Sequence, residues 1–274
     1  MERIELRRVL AIGGSDSCGG AGIQGDIKTG AAFGVDVATA ITAITAQNSM
    51  GVQAVEPVPL NVFRAQISSV CSDIRLHGVK LGMLYDGARV RAVTDAILEH
   101  KLENVVCDPV LASTSGTILL DRDGVDALIA ALPLFALLTP NALEATALTG
   151  KRIETQSDLV MAGYALLDLG ARAVLMKGGH LDGYESTDVL LQRERSGLMY
   201  FSFPRIRTSN DHGTGCALAT SIASGLARGL DLPKAVATGR DFVQGALLRS
   251  IQLRNGAGRG SLDLLRNSAL PEGS

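Results

Sequence analysis

The sequence contains no tryptophan, and aromatic residues fill only 4% of its 274 positions. Aliphatic side chains and alanine must therefore fill the core, which suits a buried parallel sheet covered by helices. Cysteine is scarce: Cys18, Cys71, Cys107 and Cys216 stand far apart. That spacing excludes a disulfide framework and a closely spaced zinc motif, and it fits a reducing, cytoplasmic setting. No apolar run approaches the ~20 residues of a membrane span. Met1 to Arg8 carries acids and runs straight into a strand-like segment, so it does not read as a secretory signal. A charge excess is also missing. The formal net charge of −2 and a pI near 6.1 argue against nucleic acid or an anionic membrane as partner. What is present is 46% hydrophobic residues and a mean hydropathy of +0.23, enough for a large core.

Strand-like and helix-like patterns alternate along the chain. Short apolar runs at 9–12, 35–45, 78–84, 104–107, 134–138 and 173–176 read as strands. Helices are expected at 23–33 with Gly34 as C-cap, and at 59–71, 87–100, 125–132, 142–148, 156–169, 214–226 and 232–253. Residues 187–192 and 199–203 read as a hairpin around a polar turn at 193–197, and the tail from about 256 is weakly patterned. The pattern predicts one α/β domain over 1–274: a doubly wound, mostly parallel sheet with helices on both faces. Ligands of such sheets bind beyond the carboxyl ends of the strands. The polar and glycine-rich loops at 13–22, 47–51, 108–116, 139–144 and 177–180 should converge there with the turn at 210–216.

That last turn, Asn210-Asp211-His212-Gly213-Thr214-Gly215-Cys216, runs directly into an alanine-rich helix. N–H groups at a helix start lack intrahelical partners and favour negative charge. Glycines at 213 and 215 let an anion approach, so His212 to Gly215 forms a candidate phosphate site. A thiol placed there, Cys216, is expected to have its pKa pulled down and to serve as a base; a buried structural cysteine is the plainer alternative. Gly20 to Gly25 matches the G-x-G-x-x-G dinucleotide pattern literally, but Gly20 lies eight residues beyond Ile12 and no acid follows at the required distance. A P-loop fails as well, because Asp26-Ile27 stands where lysine is needed. Asp108 and Glu144 end a strand and open a helix, positions from which carboxylates can hold Mg2+ beside phosphates; a turn-forming Asp-Pro and a helix-start charge are the structural alternatives. Lys177 precedes two glycines after a strand and can meet phosphate charge there, or stand solvated at the surface. His180, in the same loop, reads as a structural hydrogen-bonding residue.

Gly14-Ser15-Asp16-Ser17-Cys18-Gly19-Gly20-Ala21-Gly22-Ile23-Gln24-Gly25-Asp26, Ala46-Gln47-Asn48, Lys80-Leu81-Gly82-Met83-Leu84, Thr139-Pro140-Asn141, Lys177-Gly178-Gly179-His180 and His212-Gly213-Thr214-Gly215-Cys216 occur in that order. Together they resemble the hydroxymethylpyrimidine/phosphomethylpyrimidine kinases of thiamin biosynthesis, within the ribokinase-like superfamily and close to one group of pyridoxal kinases. The resemblance spans roughly residues 9 to 255. It implies ATP as phosphoryl donor, Mg2+, and an aminopyrimidine alcohol and its monophosphate as successive acceptors. By position it implies Gly14, Asp26, Gln47 and Met83 in the pyrimidine pocket, and Asn141, Lys177, His212, Gly213, Thr214 and Gly215 around the phosphates. Asp108 and Glu144 would serve the metal and Cys216 would be the base. It also implies a homodimer. Pyridoxal is the competing acceptor; a non-catalytic sensor and a nicotinamide dehydrogenase are the readings from other classes. Three departures stand out: Asp211 and Ala217 replace threonines common in such kinases, Gly256-Ala257-Gly258-Arg259-Gly260 replaces a Gly-His-Gly ending, and Cys18 occupies a place where small residues are usual, as an expected spectator.

Overall fold

The computed structural model describes residues 6–113, 116–179, 181, 183–254 and 256–265. Its strands are β1 (Arg8–Asp16), β2 (Asp36–Asn48), β3 (Gly51–Pro57), β4 (Gly78–Leu81), β5 (Val105–Cys107), β6 (Leu137–Leu138), β7 (Ala173–Met176), β8 (Glu185–Gln192) and β9 (Arg195–Pro204). The helices are α1 (Gly22–Ala32), α2 (Leu60–Asp73), α3 (Gly87–Glu99), α4 (Arg122–Ala131), α5 (Ala142–Thr149), α6 (Gln156–Asp168), α7 (Thr214–Ala227) and α8 (Leu232–Ser250).

All nine strands form one sheet in the order β3-β2-β1-β4-β5-β6-β7-β8-β9. From β2 to β7 neighbours run parallel; β3, β8 and β9 join antiparallel to their neighbours at the two ends. Successive strand residues face opposite sides. Leu10, Ile12, Val105, Cys107, Val174 and Met176 enter the larger core beneath α2 to α6. Val9, Val106, Leu137, Ala173 and Leu175 enter the second core beneath α1, α7 and α8. The chain leaves β1 in one direction through α1 to β2 and later returns to β4 on the other side of β1. The β1/β4 boundary is therefore the point where strand order reverses, the usual place for a ligand crevice. Gly13 and Gly14, in the last part of β1, lie beside Gly82 and Met83 at that point.

The expected layout is present, with local differences. Strand β3 was not anticipated, because none of 51–57 is buried and the segment shows no buried face. The turn expected over 47–51 shrinks to Ser49-Met50 between β2 and β3. Only Leu137 and Leu138 of the expected 134–138 strand pair; Leu132–Leu134 closes instead as a 3-10 turn around Pro133. The hairpin turn is tighter than expected, with β9 beginning at Arg195. Side chains of Asp86, Asp121, Asn141, Thr155 and Asp231 cap helix starts, as short oxygen-bearing side chains do. Among the described residues no helix is long and apolar enough to cross a membrane.

Candidate active site

Two glycine-rich segments meet beyond the carboxyl ends of β1 and β4. Asp16, at the end of β1, folds the first around its carboxylate. Its Oδ1 accepts the Cys18 N–H at 3.0 Å, and its Oδ2 accepts those of Gly20 at 3.1 Å and Ala21 at 2.8 Å. Burial pushes the carboxyl up, but the His212 hydrogen bond and these N–H groups prevail and hold it down to about 2. The second segment opens α7. Gly213 has φ +89°, and a Cβ there would lie 2.0 Å from the Gly20 carbonyl oxygen. Only glycine permits both the conformation and the approach. His212 Nε2 completes the junction at 2.9 Å from Asp16 Oδ2. Sequence reasoning did not assign Asp16 a role, although an aspartate opening a glycine-rich turn is a recognisable signal.

Gly14 and Met83 lie side by side: a Cβ on Gly14 would meet Met83 Cε at 2.6 Å. Met83 is buried and its carbonyl accepts the Thr42 hydroxyl at 2.7 Å. Gln47, next to the last residue of β2, has its backbone tied to the Ser17 hydroxyl in both directions, each at 2.8 Å, and its Nε2 lies 3.0 Å from His212 Nε2. Asp26 is placed elsewhere. It is fully buried in α1, with Oδ2 accepting from Lys80 Nζ at 2.8 Å and Oδ1 from the Thr220 hydroxyl at 2.6 Å. Both oxygens are taken, so Asp26 lies under the pocket and not on its surface. Lys80 was read only as part of a motif.

Cys216 stands above this pair. The Gly22 N–H reaches its sulfur, and Lys80, Asp26 and Asp108 act on it electrostatically. A Cβ on Gly22 would in turn lie 2.4 Å from the Gly14 carbonyl oxygen, which ties sulfur and cradle together. The expectation of a depressed thiol pKa is overturned. Burial, the largest influence, pushes it up to about 11, aided by Asp26 and Asp108; the Lys80 ammonium and the Gly22 N–H return only part of that. Removing a thiolate from water costs more here than a helix start gives back.

Behind Gly215 lies the charged group of the site. Lys177 Nζ contacts Asp108 Oδ1 at 2.7 Å and Glu144 Oε2 at 3.6 Å. A Cβ on Gly215 would lie 3.1 Å from Asp108 Oδ2 and 3.4 Å from Lys177 Nζ. Burial raises the Glu144 carboxyl to about 7, with Lys177 opposing and Asp108 reinforcing. Although burial works against it, Asp108 and Glu144 hold the Lys177 ammonium above its ordinary range. Asn141 caps α5: its Oδ1 accepts the Glu144 N–H at 2.9 Å, and Glu144 Oε2 accepts the Asn141 N–H at 2.7 Å. This reciprocal box spends Asn141 on the helix start, while bridge pairing of Asn141 with Lys177 keeps both at the rim. Thr214 opens α7, its hydroxyl donating to the Asp211 carbonyl at 2.5 Å. His180 lies outside the described residues. A cavity of about 450 Å³ lined by Arg7, Arg75 and His100 sits at the opposite, amino-terminal ends of the strands and holds none of these groups.

Comparison with known proteins identifies the relatives of this chain. The profile of the family described as phosphomethylpyrimidine kinase matches residues 16–261. A hydroxymethylpyrimidine/phosphomethylpyrimidine kinase of Rhizobium meliloti (strain 1021) is 44% identical over 253 residues, covering 92% of this chain and 94% of the relative. The crystal structure of phosphomethylpyrimidine kinase from Clostridium difficile 630 superposes with a TM-score of 0.77 at 36% identity, over 89% of this chain and 100% of that one. A Bacillus subtilis pyridoxal kinase solved as an ADP complex gives 0.85 at 31% identity, over 95% and 99%. Matched over most of its length by this family's profile and by a relative of 44% identity, this chain belongs to the phosphomethylpyrimidine kinase family and is an ATP-dependent kinase.

Proposed function

We propose that the protein transfers the γ-phosphoryl group of ATP to the hydroxymethyl arm of an aminopyrimidine, and then a second group to the resulting monophosphate, for thiamin synthesis. The observation that carries the reading is the contact of Gly213 with the Gly20 carbonyl. It sets an anion-binding helix start against a small, partly apolar cradle, the two halves that phosphoryl transfer to a ring alcohol needs. Catalysis of this kind asks mainly for positioning and charge stabilisation. The N–H groups of Gly215 and Cys216, between the Thr214 N–H held by the Asp211 carbonyl and the first α7 bond from Ala217 to Gly213, receive the transferring phosphoryl. Lys177 meets its charge. Gly14 and Met83 pack the ring face, and the Gln47 amide can both donate to and accept from ring nitrogen and amino group. Asp26 holds Lys80 beneath the thiol instead of touching the ring.

The donor set suits Mg2+. Asp108 and Glu144 offer hard oxygens, and Asp108 Oδ2 faces Gly215 while Oδ1 serves Lys177. Mg2+ takes one or two carboxylates and keeps water besides. When bound it would neutralise phosphate charge; Lys177 would then share the two carboxylates with it. Cys216 is mostly protonated at neutral pH, so only its minor thiolate form would accept the alcohol proton, returning to the thiol as the O–P bond forms.

Pyridoxal is the second reading, favoured by the TM-score of 0.85 against the pyridoxal kinase. ADP release measured with the aminopyrimidine alcohol, its monophosphate and pyridoxal side by side decides between them. Turnover of the first two is expected; turnover of pyridoxal alone overturns the aminopyrimidine assignment. A sedimentation measurement tests the homodimer that the resemblance implies.

A further inference from the structure

No step above uses Cys18, yet its thiol stands in a cluster of metal-ligating atoms at the seam between the glycine loop and the α7 turn. The ligand atoms of Asp16, Cys18 and His212 all lie within 4.8 Å of one another. His212 Nε2 is 2.9 Å and Cys18 Sγ 3.5 Å from Asp16 Oδ2. With Zn–O and Zn–N bonds near 2.0–2.2 Å and Zn–S near 2.3 Å, tetrahedral ligand atoms sit about 3.3–3.6 Å apart. The sulfur–oxygen separation already has that value, and the His–Asp pair needs only a few tenths of an ångström. Two of the three ligands are fixed beforehand. The Asp16 carboxylate is caged by three backbone N–H groups. The His212 backbone is held by the Gly260 carbonyl at 3.0 Å. Cys18 is exposed and can turn its sulfur inward.

We propose that Asp16, Cys18 and His212 bind one zinc-class divalent cation with a fourth position open, and that the bound ion inhibits the kinase. The ion replaces the proton of the Cys18 thiol, so one Zn2+ bound releases one H+ and no electrons move. The neutral His212 ring ligates through the Nε2 lone pair and keeps its proton on Nδ1. A sulfur, nitrogen and oxygen set selects zinc over the all-oxygen preference of Mg2+, so this cluster does not compete for the nucleotide's metal. Inhibition follows because the ion takes the nitrogen that Gln47 contacts and locks the loop to the turn. The binding stands without the phosphotransfer reading; only the inhibition rests on it.

The test uses the full chain without nucleotide, titrated with Co2+ and then Zn2+. Expected are one Co2+ per chain, a thiolate-to-cobalt charge-transfer band in the near ultraviolet, and its loss on adding Zn2+. Cys18→Ser should abolish the band and weaken Zn2+ by more than the roughly 10–100-fold that outer-shell partners contribute, while Cys216→Ser should keep it. A band that survives Cys18→Ser, disappears in Cys216→Ser, or is missing from the native chain overturns the site. In the kinase assay Zn2+ should slow the native enzyme and spare Cys18→Ser, whose turnover without zinc should match the native value. Equal sensitivity of the two overturns inhibition but not binding. Failure to turn over any acceptor in the absence of zinc instead counts against the proposed function.

Discussion

At the scale of single residues, Cys216 carries the sharpest expectation. Its thiol is pushed up to about 11, so the thiolate fraction at neutral pH is small and grows about tenfold per pH unit below that value. If the thiolate accepts the alcohol proton, turnover rises with pH from neutrality toward about 10, and Cys216→Ser flattens the profile. Cys216→Ala should lower turnover by roughly 10²–10⁴, the usual worth of a positioned base. A loss under tenfold in single-turnover chemistry removes it from that role. The ion pair beneath is a different kind of residue effect. Lys80 and Asp26 are both fully buried, and removing one partner strands the other charge. Lys80→Met should cost about 3–5 kcal/mol in denaturant unfolding, and adding Asp26→Asn should recover part of it. No recovery would mean that packing, not charge, sets the loss. The resemblance assigned Asp26 to the ring pocket and gave no partner for it, because Lys80 lies 54 positions away in the sequence and only the fold joins α1 to β4. Asp16 was missed because most of its partners are backbone N–H groups and its side-chain partner His212 lies 196 positions away, leaving only the aspartate before a glycine-rich turn as a signal.

At the scale of elements, glycines with similar backbone angles do different work. Gly213 (φ +89°) and Gly34 (φ +66°) both sit in the left-handed region, where a Cβ costs roughly 1–2 kcal/mol. Around Gly34 a Cβ would meet nothing within 4 Å, whereas at Gly213 it would meet Gly20 at 2.0 Å. Gly34→Ala should therefore lose only that backbone cost and leave kinetics unchanged. Gly213→Ala should also drive the loop from the turn and lower kcat/KM for ATP at least tenfold. Equal kinetics for the two variants would show that the junction is not needed for nucleotide use. Helices with an apolar stripe and a recognisable start were legible to within a few residues: α3 runs Gly87–Glu99 against an expected 87–100. Strands were legible where they are buried on both faces, as in β7, fully buried over Ala173–Met176. Strand β3 was not, because an exposed antiparallel edge owes its existence to pairing with β2 and not to its own pattern.

At the scale of the whole molecule, the C-terminal tail decides whether the two halves of the site stay together. Its departure from the Gly-His-Gly ending put those contacts in question, yet they form. Arg259 N–H donates to the Ser49 carbonyl at 2.8 Å, Gly260 N–H to that of Ser209 at 2.9 Å, and His212 N–H to that of Gly260 at 3.0 Å. The tail thus ties the β2–β3 turn, two residues from Gln47, to the turn that opens α7. Its hold comes from Leu262 and Leu264, 6% and 3% exposed in the second core, more than from the surface pair of Arg259 with Asp211 at 2.9 Å. Truncating a buried leucine costs about 2–5 kcal/mol, an exposed ion pair about 0–1 kcal/mol. Leu264→Ala should accordingly lower the unfolding free energy several-fold more than Arg259→Ala. Because it loosens the tail that positions His212 and Ser49, it should also raise KM for the acceptor more than it lowers kcat. Denaturant titration together with acceptor saturation curves checks both parts. If Arg259→Ala proves the more damaging, the tail is held by charge at its surface and the second core does not reach this far.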